Sequence, residues 1–292
     1  MTVPIIQIAS ISKHFTSKPV LDQLDWEILP GQVIGLLGRK GAGKSTLLDC
    51  ILGLQETDGG AVTVFGEPVA NLSAQARAKL AYVPHTCDLF DWLSPLQMLD
   101  YFKTLYPHWN GAKVEGLLAR WGFDKIMRKR PISQLSAVEK QRLSIVRALA
   151  HDPQLLVLDE PMSALEPAAR RDFLRELFDG FIERGTTIVF STHVLSDLER
   201  VASEVAFLKS GKIALQGGLD ELLQSARRVT GPGRLLDRFA VSGELRRSKD
   251  LDGITQIVTS AASGELLALA EREPAIRIEH LTLADLFVEV TQ

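Results

Sequence analysis

VIGLLGRKGAGKSTLLDCILGL, residues 33–54, is the stretch from which the fold can be read. Its first five residues are apolar and strand-sized, as suits a strand buried on both faces of a sheet. Gly38-Arg39-Lys40-Gly41-Ala42-Gly43-Lys44-Ser45 follows and satisfies G-x-x-x-x-G-K-[ST]. Residues 44–54 then set Leu47, Leu48, Ile51 and Leu52 along one helical face. A strand, a glycine loop and a helix in direct succession make a P-loop, and each part has a task. Glycines leave backbone N–H groups free to wrap phosphates, and the helix N-terminus adds positive potential. Lys44 is expected to reach the β and γ phosphates, Ser45 to offer its hydroxyl to Mg²⁺, and Thr46 to add a phosphate contact. Arg39 and Lys40 either add two cations beside the phosphates or decorate a surface loop.

The second signal is Leu155-Leu156-Val157-Leu158-Asp159-Glu160, an apolar strand ending in two carboxylates. The C-terminal end of such a strand is where an open α/β sheet places its ligand. There Asp159 would hold Mg²⁺ through its water shell and Glu160 would polarise an attacking water, although a turn with a helix N-cap would use the same pair. Residues 187–190 form another fully apolar strand, and residues 168–184 between the two read as an amphipathic helix. This alternation predicts an α/β fold around a parallel sheet. From about residue 92 to 150 the pattern is helical, punctuated by Pro95, Pro107 and Pro131, which predicts a helical subdomain inserted between sheet strands. Residues 219–228 read as helical and lead to Gly231-Pro232-Gly233, a breaker cluster that marks a linker or a tight connection. Beyond it, strand candidates at 254–259 and 276–278 are followed by helical patterns at 265–271 and 283–290. The expected organisation is a nucleotide-binding domain over residues 1–222 and a small accessory α+β domain over 223–292.

Composition narrows the setting. The 292 residues are 46% hydrophobic and 24% charged, which suits a globular protein and not a disordered or collagen-like chain. Lysine plus arginine number 33 against 36 acidic residues, a net charge of -3, so no global basic field points to nucleic acid. Two cysteines, Cys50 and Cys87, suggest no disulfide framework and a reducing compartment. The first twelve residues lack a secretory signal, and the apolar runs fall short of the roughly 20 residues that cross a bilayer. A membrane span, if the function needs one, is expected from another chain.

The order of motifs resembles the nucleotide-binding subunit of an ABC transporter over about residues 5–217. The linking segment is Leu135-Ser136-Ala137-Val138-Glu139-Lys140-Gln141-Arg142, in the place of the family signature Leu-Ser-Gly-Gly-Gln. The resemblance implies ATP and Mg²⁺ as ligands, and a P-loop ATPase in which two chains sandwich two ATP molecules. Ser136, Ala137, Val138 and Glu139 would then act on the γ-phosphate held by the opposite chain. It further implies that Phe15 stacks on adenine, that His193 reaches the γ-phosphate, and that Ser163-Ala164-Leu165-Glu166-Pro167 is a subunit-contact loop. His85 stands where the family has a Gln that senses Mg²⁺ and the attacking water, so it joins Ser45 and Asp159 as a candidate near the metal.

Several departures bear on activity. Ala137 and Val138 replace two glycines, Glu139 replaces Gln, and Glu166 replaces Asp. If Glu139 points at the phosphate, like charges oppose closure; if it caps its helix, the cost is small. ATP binding is therefore expected to survive better than turnover, and the partner chain is either a second copy or another nucleotide-binding chain. The tail around residues 283–290 resembles ATP-binding subunits of ABC-2-type exporters, which implies a cytoplasmic motor on the inner membrane face. An integral membrane subunit would dock near His85 and residues 88–96. The alternative is a soluble ATP-dependent regulator or assembly factor, motivated by the altered signature and by the basic cluster Lys125, Arg128, Lys129 and Arg130.

Overall fold

The computed structural model describes residues 2–16, 18–86, 89–162, 170, 174, 185–237 and 239–292. An antiparallel sheet comes first, from β1 (Ile6–Phe15) and β2 (Lys18–Ile28). The decisive segment follows as expected, with β3 (Val33–Leu37) leading through the glycine loop to α1 (Lys44–Ile51). β4 (Gly59–Val64) and β5 (Glu67–Pro68) complete the first sheet in the order β2-β1-β4-β5. After α2 (Ala74–Ala78) come β6 (Leu80–Val83) and the helices α3 (Pro95–Lys103), α4 (Gly111–Arg120) and α5 (Ala137–Leu149). β7 (Leu155–Asp159), β8 (Thr187–Ser191), β9 (Glu204–Lys209) and β10 (Lys212–Gly218) then join β3 and β6 in the main sheet.

That sheet has the order β10-β9-β3-β8-β7-β6, parallel except at the β10 edge. Every residue of β3, β7 and β8 is buried, as continuous aliphatic runs in a doubly covered sheet require. One face packs Ile34, Leu36 and Val157 against Leu47, Leu48 and Ile51 of α1 and against Ile6, Leu24 and Ile28 of the first sheet. The other face packs Leu156, Leu158 and Phe190 with Met98, Leu118, Phe123 and Leu143 of the helical region. Full burial of such side chains contributes about 1.5–3 kcal/mol each. The glycine loop lies at the C-terminal end of β3, so the two packed faces hold it from below.

The helices of the inserted region begin where their caps say they should. Ser94 and Gln97 form a capping box with Pro95 at the first turn, and the Asn110 side chain caps α4. The expected helix over 168–184 and the contact loop 163–167, with Glu166, lie outside the described residues, apart from Arg170 and Leu174. Cys87 and Asp88 also lie outside them.

Downstream, two expectations are corrected. The helix Leu219–Ser225 stops before residue 228, because β11 (Arg227–Pro232) takes Arg227 and Arg228 into a third sheet. Gly231-Pro232 ends a paired strand and Gly233 opens a short helix at once, so of the two readings the linker falls and the tight connection stands. At Gly231 a Cβ would fall 3.0 Å from Ile276 Cγ1, so the glycine answers to close packing. With β12 (Glu244–Lys249), β13 (Ile254–Thr259) and β14 (Arg277–His280) the third sheet runs β12-β13-β11-β14. Val229, Leu236, Ile257, Leu266 and Ile276 form its own small core. The last helix, Leu283–Thr291, instead buries Leu283, Leu286 and Val290 in the same cluster as Leu37, Val205 and Phe207 of the main sheet.

Candidate nucleotide-binding and hydrolysis site

Helix α1 opens at Lys44 with Gly43 as N-cap, in the left-handed region at φ 102°. A Cβ on Gly43 would also fall 2.9 Å from Val20 Cγ1, so conformation and space both demand glycine. Neither a capping side chain nor an acidic residue occupies the first turn, which leaves its N–H groups and positive potential for an anion. The loop borders a cleft of about 670 Å³ lined by Lys40, Gly41, Gly43, Lys44, Ser45 and Thr46. Phe15, His85, Glu160 and His193 close it from other elements, together with Val20.

Lys44 is 6% exposed, and Nζ donates to the Gly38 carbonyl at 3.0 Å while standing 3.7 Å from Glu160 Oε1. The buried ammonium is thus compensated by a carbonyl and a carboxylate. Phe15 ends β1 half exposed, with the Lys13 ammonium 5.7 Å from the ring centroid. Gly38 and Ala42 build the loop without lining the cleft, Gly38 through its carbonyl and Ala42 through an N–H to the Arg39 carbonyl at 3.0 Å. The two cations of the loop part company: Lys40 lines the cleft, whereas the Arg39 Nε donates to Thr291 Oγ1 at 3.3 Å.

Across the loop stands the end of β7. Asp159 is 2% exposed, and its Oδ1 accepts from Ser191 Oγ at 2.5 Å. The same Ser191 oxygen accepts from the Glu160 N–H at 2.8 Å, so one hydroxyl on β8 ties both acidic residues in place. The register of the parallel pair sets Asp159 beside Ser191. Glu160 itself has φ 43°, a left-handed conformation uncommon for a residue with a Cβ. Its carboxylate is the meeting point of the site: His193 Nδ1 lies 3.0 Å and His85 Nδ1 3.9 Å from Oε2, opposite Lys44 at Oε1. Asp49, on α1, adds a further carboxyl whose pKa is raised by burial and then by the charge of Asp159.

The signature segment lies elsewhere on the surface. Ser136 and Glu139 form a reciprocal capping box, in which the Ser136 N–H donates to Glu139 Oε2 at 2.7 Å and the Glu139 N–H to Ser136 Oγ at 3.3 Å. The Glu139 carboxylate is therefore turned back onto its own helix N-terminus. Ser136 and Ala137 are exposed, Val138 is half-buried, and none of the four lines the cleft of its own chain. In the basic cluster, Arg128 is occupied by the Phe123 carbonyl at 2.7 Å and by Glu115 at 2.6 Å.

The sequence reading did not single out Val20, Ser191 or Asp49. Ser191 left a trace, as the polar residue closing an apolar strand, but its partner is 32 positions away. Val20 had none, since only the packing of β2 on the glycine loop brings it to the cleft.

Among the described residues no cluster of three His, Cys, Asp or Glu side chains could hold a metal unaided. The oxygen donors present, the Ser45 hydroxyl and the Asp159 carboxylate, are of the type that suits Mg²⁺, which is commonly held by one or two protein groups together with substrate phosphates. Imidazole is a poorer match for that ion, so His85 fits beside the metal better than on it.

A parallel sheet with a glycine loop at the end of a buried strand, a buried lysine and an acidic pair on a neighbouring strand define a P-loop nucleotide hydrolase. The ABC transporter family model matches residues 21–163. The chain is 33% identical over 266 residues to the Nod factor export ATP-binding protein I of Rhizobium etli, covering 84% of this chain and 82% of that one. The protein of the same name from Burkholderia orbicola is 29% identical, over 100% of this chain and 98% of the relative. A solved ATP-binding subunit of an ABC transporter superposes with a TM-score of 0.66 at 27% identity, over 75% of this chain and 92% of that one. The chain belongs to the ABC transporter family, as an ATP-binding ATPase chain of it.

Proposed function

We propose that this chain is the motor subunit of an exporter, which binds Mg-ATP in the cleft and hydrolyses it at an interface with a second nucleotide-binding chain. The observation that carries the reading is the environment of Glu160, placed between the buried Lys44 and the His193 imidazole at the mouth of the glycine loop. Phe15 offers a half-exposed ring to the adenine, and Lys40, Lys44 and the N–H groups of α1 offer positive charge to the phosphates. Mg²⁺, held by Ser45 and Asp159, would neutralise charge on the β and γ oxygens. Glu160 orients and polarises the attacking water, and His193 fixes the direction of that carboxylate through their 3.0 Å contact. His85 approaches the same oxygen and occupies the position from which the family's Gln contacts the water.

Ser136 keeps its hydroxyl proton free for a phosphate oxygen on the opposite chain, because in the cap it acts as acceptor. Glu139 is engaged by the cap, so its charge opposes closure less than a free carboxylate would. Ala137 and Val138 still add bulk where bare backbone would approach a phosphate, and turnover is slow for that reason. A second copy is the partner favoured here, another nucleotide-binding chain the alternative.

The accessory α+β unit spans residues 223–292 and the nucleotide-binding unit residues 1–222. The membrane subunit docks near His85 and the segment after it, in which Phe90 and Trp92 form an aromatic group with Tyr101 and Phe102 of α3, Trp92 being 76% exposed. No helix among the described residues is long and apolar enough to cross a membrane; the chain sits on the cytoplasmic face through its membrane partner. Light scattering of the Glu160→Gln chain tests the two-chain site. Mg-ATP should double the mass, and Ser136→Arg should abolish the doubling. A monomer that holds ATP would remove the self-paired site.

A further inference from the structure

The P-loop is fastened at its back to the far end of the chain. Arg39 Nε donates to Thr291 Oγ1 across a separation of 252 positions. Thr291 is buried, and its hydroxyl proton is committed to the Phe287 carbonyl at 2.7 Å, so a lone pair is what it presents to Arg39. The contact is therefore directional and needs a hydroxyl in place.

Both ends of Arg39 matter to the loop. Its carbonyl accepts from Ala42 N–H at 3.0 Å and lies 3.5 Å from Lys44 Nζ, while its side chain reaches the last helix. The preceding Gly38 lies so close to β9 that a Cβ would fall 2.9 Å from the Leu208 carbonyl oxygen. The last helix packs on that same strand and shares its core. On its other flank, Glu289 is 8% exposed and accepts from Arg228 of β11 at 3.1 Å and from Arg246 of β12 at 3.2 Å. A continuous series of contacts runs from the third sheet through Glu289 and Thr291 to Arg39 and the Lys44 loop.

We propose that Thr291 is a positioning residue for the phosphate loop, acting through Arg39, and that the last helix thereby makes the third sheet part of the machinery that sets nucleotide affinity. Arg39 is not spent on the phosphates; it holds the loop in the shape that presents Lys44 and Lys40. The proposal rests on the cleft being the ATP site.

The full chain should be titrated with a fluorescent ATP analogue and Mg²⁺, and assayed for steady-state hydrolysis. Thr291→Val and Arg39→Gln should each weaken binding about fivefold, in the range of one ordinary lost hydrogen bond. For Thr291→Val the effect should fall on KM and not on kcat. The double variant should be no weaker than either single one, since the two side chains act as one contact. Thr291→Ser should restore wild-type affinity, which separates the hydroxyl from the methyl packing. Arg39 is exposed, so its replacement keeps the question open to an answer even if Thr291→Val unfolds. Wild-type affinity in Arg39→Gln, additive losses in the double variant, or failure of Thr291→Ser to restore binding would each overturn the proposal. Lys44→Ala is the separate control: wild-type binding there would overturn the site reading itself.

Discussion

Ser191 holds two acidic residues with one hydroxyl, donating to buried Asp159 and accepting from the N–H of Glu160. Its removal takes away the donor that Asp159 has among the described residues and frees a backbone already in the left-handed region. Ser191→Ala should cost about 1–3 kcal/mol in urea unfolding. It should also lower turnover more than ATP affinity, as steady-state kinetics would show. A second residue-scale expectation concerns pH. His151 is 4% exposed and burial lowers its pKa from 6.5 to about 4, against smaller opposing effects of its hydrogen bond to the Leu80 carbonyl and of Asp152, and alongside the charges of Lys113 and Arg147. The unfolded chain binds this proton more tightly, so the contribution is fully present above pH 6.5 and is lost as pH falls toward 4, by up to roughly 3 kcal/mol. Unfolding midpoints measured across that window should fall more steeply for the wild type than for His151→Phe. The chemical groups of the site were legible as residue types at fixed spacing. Ser191, Val20 and Asp49 were not, because each reaches the cleft or its acidic residues through strands or a helix distant in sequence.

At the scale of elements, the direction of Glu139, left open by the sequence, is settled by a cap. Ser136 followed by Glu139 marks the start of α5, and both halves of the box are made. Ser136→Ala should cost about 1 kcal/mol in thermal or urea unfolding, whereas Glu139→Gln should cost a few tenths, because the amide oxygen can still accept. If removal of that carboxylate also raises turnover, its charge opposes closure even from within the cap. Other elements escape the pattern for identifiable reasons. β1 and β2 pair with register shifts near Ser10 and Gln23, both at positive φ, so the inside-outside alternation that betrays a strand is broken. The helix ending at Ser225 was read too long because Arg227 and Arg228 suit a helix locally. Pairing with β13 and β14, and the ion pair of Arg228 with Glu289, draw them into a strand instead.

For the whole molecule, composition allowed a globular chain and named no chemistry. The main sheet supplies a frame covered on both faces, from which the acidic pair of β7 and the glycine loop after β3 meet across the cleft. The last helix joins the third sheet to that frame, an arrangement the breaker residues 231–233 concealed. Single-turnover hydrolysis of Mg-ATP by the full chain, wild type against Glu160→Gln, tests the assignment of the cleft most directly. Glu160→Gln should be at least about 100-fold slower, the lower range for loss of a positioned general base. Its ATP affinity should stay within about threefold of wild type. Equal rates in the two proteins would contradict the role given to Glu160 and the hydrolytic site built around it.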